Sequence, residues 1–210
     1  MEATIFQIAI VLIVILFSMT LHEVMHGYVA YFLGDHTAKL QGRLTLNPLK
    51  HIDPFLTILL PVILAIAGGP IFGGAKPVPF NPNQVKYDEW GAALVALAGP
   101  LANFFIAFVL FGVYALTGAT GGLVGQILVT AVMVNLGFFV FNMIPIPPLD
   151  GSRVLYALAP EFVRRGMEAI EQYGIIFVFA LVFVASSVIG TFMGAAINSI
   201  LDLFTHIFSA

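Results

Sequence analysis

Residues 5–33 form an apolar run long enough to cross a lipid bilayer. Residues 5–17 carry no charged side chain, and Gly34 and Asp35 end the run. Because a transmembrane helix needs about 20 mostly apolar residues, the run predicts a membrane span. It lacks the basic start and the short apolar core of a cleaved signal peptide, which favours a retained span.

The composition predicts the same class. Of the 210 residues, 60% are hydrophobic and 9% are charged. Soluble domains carry about 25% charged residues, so this chain is predicted to be an integral membrane protein. A net charge of −3 on so few charged groups argues against a nucleic-acid partner. The absence of cysteine excludes disulfides and thiolate metal ligands.

The other apolar segments are separated by polar or Gly/Pro-rich stretches. Residues 55–67 are apolar but too short to span, and Pro61 interrupts them. With the Gly/Pro-rich residues 68–80 they predict a re-entrant region over about residues 55–80. We predict an all-α polytopic membrane protein with about five to six transmembrane helices in a single domain, 1–210. The predicted spans are residues 5–33, 91–116, 123–144, 174–189 and 192–208.

The first span carries two histidines and a glutamate, in the sequence His22-Glu23-Val24-Met25-His26. Positions i and i+4 share one face of a helix, so both imidazoles can reach one cation. Neutral imidazole is a good zinc ligand, and the intervening glutamate can act as a general base on metal-bound water. The alternative is a pair of histidines that hydrogen-bond between packed helices. Because ionisable groups in lipid are costly and usually functional, the metal interpretation is favoured.

A catalytic zinc ion usually takes three protein ligands and a water, so a third ligand must lie elsewhere. Asp150 directly follows the third predicted span, in N-M-I-P-I-P-P-L-D-G at 142–151. Its prolines leave backbone carbonyls unpaired, which is tolerated at membrane depth only where the backbone lines an enclosed cavity. A helix-capping aspartate after a proline stop explains the residue equally well. The other candidates are His36, His51, Asp53, Asp88, Glu89 and Glu161.

The two motifs together resemble the site-2 protease family of intramembrane zinc metalloproteases. H-E-x-x-H lies in the first span, and N-x-x-P-x-x-P-L-D-G follows a later one. The likeness extends to N-P-L-K-H-I-D-P at 47–54, F-G-G-A-K-P-V-P-F-N-P at 72–82 and A-G-P-L-A-N-F at 98–104. The chain is most similar to the small prokaryotic branch of the membrane core, and no stretch resembles a PDZ or CBS domain.

The resemblance implies a zinc site and a reaction. His22, His26 and Asp150 would bind one zinc ion per chain, and Glu23 would activate the water. The expected reaction is the hydrolysis of peptide bonds within or near the transmembrane segment of a single-pass membrane protein.

The resemblance also implies substrate-binding residues. Asn142 would hold the substrate or the oxyanion near the metal. Residues 68–80 would form a β-like loop that enters the membrane and presents its edge to the substrate. Gly73 and Gly74 lie in this loop and are predicted to bind the substrate.

Topology gives a separate expectation. A site built from His22, His26 and Asp150 requires the first and third spans to end on the same side, which holds if residues 55–67 do not cross. In that arrangement all eight Lys and Arg residues lie on one face, which the positive-inside tendency makes cytoplasmic. We therefore expect a multi-pass protein of the cell membrane with its N-terminus outside and its active site toward the cytoplasm.

Two other functions use the same residues. A zinc permease also places His and Glu within membrane spans, although it would more naturally repeat its ligands along several spans. The other is a metal-binding protein without turnover, although structural zinc sites are usually closed by four protein ligands. Replacement of Glu23 by Gln separates these functions, because a protease should then keep its zinc and lose hydrolysis.

Overall fold

The structure is a computed structural model that describes residues 2–59, 63, 74–118 and 121–209, with side chains from residue 6 onward except that of residue 175. Short 3₁₀ or π-helical turns occupy Pro48–Lys50, Pro54–Leu59 and Pro82–Gln84. The α-helices in these residues are α1 (Glu2–Phe32), α2 (Thr37–Leu40), α3 (Asp88–Thr117), α4 (Gly122–Asn142), α5 (Gly151–Leu158), α6 (Glu161–Glu171), α7 (Gly174–Val184) and α8 (Ser186–Phe208).

Four helices in the described residues are long and apolar enough to cross a membrane, namely α1, α3, α4 and α8. A fifth span is counted if α6 and α7, which meet at an angle of 94°, form one bent crossing. The predicted all-α polytopic membrane fold is therefore confirmed.

Gly34 ends the first span, as predicted. Its φ of +114° lets the N–H of Asp35 reach the carbonyl of Ala30 at 2.9 Å. Such bonds satisfy carbonyl groups that a helix end leaves unpaired. The buried carboxylate of Asp35 then accepts the N–H groups of Thr37 at 2.9 Å and Asn81 at 2.7 Å. Asp35 thereby connects the end of α1 to the segment that precedes α3.

The helix α3 is central and packs against α1, α4, α5 and α8. Helices in membranes associate through small residues that allow a close approach, and Ala93, Ala96 and Gly99 are buried along α3. The largest apolar cluster lies between α3, α4 and α8, and its buried members are Ala107, Val132, Leu136, Val140, Ile197 and Phe204.

One hydrogen bond joins two parts of the predicted re-entrant region, and a second joins the end of α1 to the chain just before α3. The N–H of Gly74 donates to the carbonyl of Leu56 at 3.1 Å, and that of Lys86 donates to the carbonyl of Leu33 at 2.9 Å. The chain therefore returns to the end of the bundle where α1 finishes, and α3 starts there. Most of the predicted segment 55–67 lies outside the described residues.

The last two helices are divided at a different point from the prediction. The predicted spans 174–189 and 192–208 place the break near Gly190, whereas α7 ends at Val184 and α8 begins at Ser186. Glycine is common in membrane helices, so Gly190 does not interrupt α8. With 11 residues, α7 covers about 16 Å, which is too short to cross a bilayer alone.

The predicted β-like character of the loop is not found in residues 74–80, where the described chain forms no strand. Pro77 and Pro79 have no N–H to donate to a sheet. The N–H groups of Lys76 and Val78 are already bound, by the carbonyl of His51 and the carboxylate of Glu23. The segment is therefore held by side-chain and loop contacts.

Candidate metal centre

Three side-chain atoms converge where α1 meets the turn before α5. The Nε2 atoms of His22 and His26 lie 3.0 Å apart. Oδ2 of Asp150 lies 3.2 Å from Nε2 of His22 and 3.4 Å from Nε2 of His26. Within the part of the chain that the structure describes, this is the one group of three or more potential ligands close enough to hold a metal ion. The three predicted ligands are thus brought together.

The hydrogen bonds of both imidazoles direct Nε2 toward this point. Nδ1 of His26 lies 2.7 Å from the carbonyl oxygen of Val95. Because a carbonyl only accepts, Nδ1 carries the proton and Nε2 of the neutral ring keeps its lone pair. Nδ1 of His22 lies 2.6 Å from Oδ1 of Asn103. Zinc-binding histidines usually donate from their second nitrogen in this way.

Asp150 occupies the N-cap position of α5, but its side chain makes no capping hydrogen bond. Its Oδ2 is buried without a hydrogen-bond partner and faces the two histidines. The turn before α5 folds back on the end of α4, since a Cβ atom at Gly151 would stand 2.4 Å from the carbonyl oxygen of Met143. Helix capping therefore does not account for the Asp150 carboxylate.

The three residues fit a zinc ion. Zinc at about 2.0–2.1 Å from each of its tetrahedral ligands would hold the ligand atoms about 3.3 Å apart. The three separations of 3.0, 3.2 and 3.4 Å are close to that value. Two imidazole lone pairs and a carboxylate oxygen repel one another unless a cation lies between them. Two nitrogens and one carboxylate oxygen also form a common donor set of catalytic zinc.

Glu23, the predicted general base, is held by the Gly/Pro-rich segment. Its Oε2 accepts the N–H of Val78 at 2.8 Å. The segment approaches α1 closely there, since a Cβ atom at Gly27 would stand 2.9 Å from Cγ1 of Val78. A backbone N–H of the predicted substrate-binding loop thus orients the Glu23 carboxylate.

The predicted substrate-binding residues make local contacts. Asn142 is half-buried and donates to the carbonyl of Phe138 in its own helix. Gly74 accepts a hydrogen bond from the Thr57 hydroxyl at 2.6 Å. Gly73 lies outside the described residues. The alternative ligands lie outside the three-residue group, and they are His36, His51, Asp53, Asp88, Glu89 and Glu161.

Two residues of α3 border the group, although neither was predicted to lie at the site. A Cβ atom at Gly99 would stand 2.5 Å from Nε2 of His26 and 2.7 Å from Cε1 of His22. Asn103 is fully buried and contacts His22. In the sequence both residues lie in the stretch A-G-P-L-A-N-F at 98–104. Residue spacing alone does not indicate that this stretch contacts the H-E-x-x-H motif.

Fold and site together define a polytopic membrane protein with a three-ligand centre that is buried at His22 and partly buried at His26 and Asp150. The comparison with known families adds an identity. The chain belongs to Peptidase family M50, whose sequence profile matches residues 10–123 and 118–186. The resemblance to the site-2 protease family is thereby confirmed.

Three relatives carry names of one kind. The candidate zinc metalloprotease YwhC of Bacillus subtilis (strain 168) is 43% identical over 208 residues, which are 93% of this chain and 91% of that protein. The candidate zinc metalloprotease Rip2 of Mycolicibacterium smegmatis is 35% identical, over 79% of this chain and 63% of that protein. The candidate zinc metalloprotease MJ0611 of Methanocaldococcus jannaschii is 33% identical, over 64% of this chain and 62% of that protein. No solved structure matches the chain significantly.

Proposed function

We propose that this chain is an intramembrane zinc metalloprotease that hydrolyses peptide bonds within or near the transmembrane segment of single-pass membrane proteins. The observation that carries the proposal is the convergence of Nε2 of His22, Nε2 of His26 and Oδ2 of Asp150 beside Glu23. His22, His26 and Asp150 would hold one zinc ion. Membership of a peptidase family supports a role for that ion in hydrolysis.

Glu23 is the residue proposed to move protons. When bound, zinc lowers the pKa of a coordinated water toward 7 and polarises the carbonyl under attack. Glu23 would accept the proton of that water and later deliver it to the leaving amine. The hydrogen bond from Val78 fixes the carboxylate for both transfers.

A substrate helix must unwind before it is cut, since its backbone groups are bound within the helix. The segment 74–80 is proposed to hold the extended stretch through its main-chain carbonyl groups. Its N–H groups contribute little, because those of Lys76 and Val78 are already bound and the prolines have none. Its contact with Glu23 through Val78 supports this assignment, because it places the segment beside the proposed base. Asn142 and the Gly73–Gly74 pair are proposed to contact the same stretch.

The centre is proposed to lie toward the cytoplasmic side, with the N-terminus outside. His26 lies about 9 Å before the end of α1 at Phe32. All eight Lys and Arg residues belong either to the chain between α1 and α3 or to the chain from α5 to α6. Arg164 of α6 lies 3.4 Å from Glu89 at the start of α3, which brings the two groups to one end of the bundle. The positive-inside tendency makes that end cytoplasmic.

The zinc permease remains the main alternative. A permease would be favoured by several metal sites along a path through the membrane, whereas the described residues contain one. Metal binding without turnover is disfavoured by the three-ligand set, which leaves one tetrahedral position for water.

Zinc content and cleavage, measured together, test the proposal. Wild type, His22→Ala, Asp150→Ala and Glu23→Gln are purified in detergent and analysed for zinc. They are then reconstituted in vesicles with a single-pass reporter whose transmembrane segment contains Gly and Pro. We expect about one zinc per chain, lost in the two alanine variants and kept in Glu23→Gln, as a three-ligand site requires.

Cleavage should occur with the wild type alone. The same reporter with Leu in place of Gly and Pro should be cut more slowly, because its helix resists unwinding. A Glu23→Gln variant that cuts as fast as the wild type would refute the proposed protease, as would zinc that survives both alanine substitutions.

A further inference from the structure

Three buried polar side chains from three different spans meet beside His22. Ser18 of α1, Asn103 of α3 and Asn135 of α4 are each at most 5% exposed. Polar groups buried in a membrane protein are costly unless they are hydrogen-bonded, and they usually serve a function. The proposed protease mechanism assigns no role to any of the three.

Hydrogen bonds fix the orientation of the Asn103 amide. One of its terminal atoms lies 3.3 Å from the carbonyl oxygen of Ser18, which can only accept, so this atom is the nitrogen Nδ2. The same Nδ2 donates to Oδ1 of Asn135 at 2.8 Å. Oδ1 of Asn103 therefore faces Nδ1 of His22, at 2.6 Å.

The Asn135 amide is oriented in the same way. Its Nδ2 donates to the carbonyl oxygen of Ala131 at 2.8 Å and to the Ser18 hydroxyl oxygen at 3.0 Å. Its Oδ1 is therefore turned toward Asn103. Each amide thus holds the next in one orientation, and the chain of hydrogen bonds ends at His22.

This chain determines the tautomer of His22. Since Oδ1 of Asn103 has only lone pairs, Nδ1 of His22 must carry the proton, and Nε2 is left unprotonated. Nε2 is the atom that faces Asp150 and His26. The second ligand differs, because His26 is oriented by the main-chain carbonyl of Val95 and no side chain is needed.

We propose that Asn103, held by Asn135 and Ser18, is the positioning residue that fixes the tautomer and ring orientation of His22 for metal binding. This inference rests on the proposed zinc site. Outer hydrogen-bond partners of zinc-binding histidines typically contribute about 10- to 100-fold to metal affinity. Asn103 should therefore act on the affinity for zinc as well as on folding.

The test measures metal binding rather than activity. Wild type, Asn103→Leu, Asn103→Asp and Asn198→Leu are purified in detergent, and the folded fraction is titrated with zinc against a chelator. We expect Asn103→Leu to weaken zinc binding by about 10- to 100-fold and to change the visible spectrum of the cobalt-substituted protein. Asn103→Asp keeps the acceptor oxygen that faces His22 but loses the two hydrogen bonds that Nδ2 donates, so it should restore both in part. Asn198→Leu, the same substitution on the exposed face of α8, should change neither.

Different failures have different meanings. A wild type that binds no zinc overturns the proposed function together with this inference. If the wild type binds zinc and Asn103→Leu has the same affinity and the same cobalt spectrum, the positioning role alone is overturned. If Asn103→Leu does not fold, the tautomer of His22 is measured directly in the wild type. The metal-free protein is labelled with ¹⁵N-histidine, and the His22 signals are assigned by their loss in His22→Gln. Protonation at Nδ1 of His22 supports the inference, and protonation at Nε2 overturns it.

Discussion

Gly99 of α3 lies directly against His26 of α1, so closely that a Cβ atom at Gly99 would stand 2.5 Å from Nε2 of His26. Real Cβ contacts essentially never fall below 3.0 Å. The imidazole cannot turn aside freely, because its Nδ1 is bound to the carbonyl of Val95. Gly99 therefore sets how closely α3 approaches the proposed metal centre.

Substitution of Gly99 by Ala should separate the ligands. We expect the added methyl group to displace both imidazoles and to weaken zinc binding by at least the 10- to 100-fold typical of outer-shell changes. The matched control is Gly137→Ala in α4, because a Cβ atom at Gly137 meets nothing within 4 Å. Zinc content of the two purified variants checks the prediction. Equal zinc in both would show that α3 can move away at little cost.

Substitution of Val78 by Pro should impair catalysis without removing zinc. Proline has no N–H, so Oε2 of Glu23 would lose its 2.8 Å hydrogen bond. Hydrogen bonds to charged groups contribute about 1.5–3 kcal/mol, so a loss of about 10- to 100-fold in cleavage rate is expected. Val78→Ala keeps the N–H and reduces only the side chain, so it should cleave at nearly the wild-type rate. Equal rates in the two variants would contradict this role of the backbone N–H.

Much of the site could be predicted from sequence because its central part is local. His22, Glu23 and His26 lie on one helix, where spacing alone places the two imidazoles on a common face. Asp150 was harder, since a capping aspartate has the same sequence context. The family resemblance indicated its role, and the geometry brings it to the histidines.

The contributions of α3 could not be predicted in this way. Gly99 and Asn103 matter because one particular face of α3 meets α1, and spacing along α3 does not reveal which face that is. The break at Ala185 was missed for a related reason. Only Ser186 and Ser187 separate two apolar stretches there, and hydropathy along the sequence does not show that the break falls at them rather than at Gly190.

The absence of cysteine allows a direct test of sidedness. Phe162 of α6 is 77% exposed at the metal-site end of the bundle, and Leu116 of α3 is 76% exposed at the other end. We expect Leu116→Cys to react with a membrane-impermeant maleimide on intact cells. Phe162→Cys should react only after the cells are opened. The reverse pattern would place the centre on the outer side and contradict the positive-inside assignment.

Arg164 of α6 should be a strong contributor to stability at the metal-site end. Its guanidinium donates to the carbonyls of Tyr156, Ala157 and Ala159 at the C-terminal end of α5, and it contacts Glu89 of α3. We expect Arg164→Met to cost about 1–3 kcal/mol, which lowers the midpoint of thermal unfolding in detergent by roughly 2–12 °C. Arg164→Lys should rescue little, since one ammonium group cannot replace the planar fork.

The neighbouring residue supplies the control. Arg165 pairs only with Glu161 among its contacts in the described residues, in an exposed i,i+4 ion pair at 3.0 Å. Such pairs contribute about 0.3–0.5 kcal/mol, so Arg165→Met should leave the unfolding midpoint almost unchanged. Equal losses in the two methionine variants would mean that loss of charge, rather than these hydrogen bonds, lowers stability.

Asp35 should make the stability of the fold depend on acidic pH. Burial raises the pKa of its carboxyl, but the hydrogen bonds from Asn81 and Thr37 outweigh that effect and hold the pKa below its usual range. A carboxylate with a lowered pKa in the folded state stabilises the fold above its unfolded pKa of about 3.9, and this contribution is lost as the pH falls through the folded pKa.

Asp35→Asn should therefore be less stable than the wild type by about 1–3 kcal/mol at pH 7, because a neutral amide cannot replace a carboxylate that accepts two N–H groups. The gap should shrink as the pH falls below about 4, because the unfolded wild-type chain then gains a proton at Asp35 before the folded protein does. Thermal unfolding of both proteins between pH 7 and pH 3 measures this difference in stability. Glu161→Gln, the same change of a carboxylate to an amide at an exposed ion pair, should stay within about 0.5 kcal/mol of the wild type at pH 7. The difference in stability between Asp35→Asn and the wild type could instead be equally large at pH 3 and pH 7. That result would show that the ionised form of Asp35 does not stabilise the junction of α1 and α3.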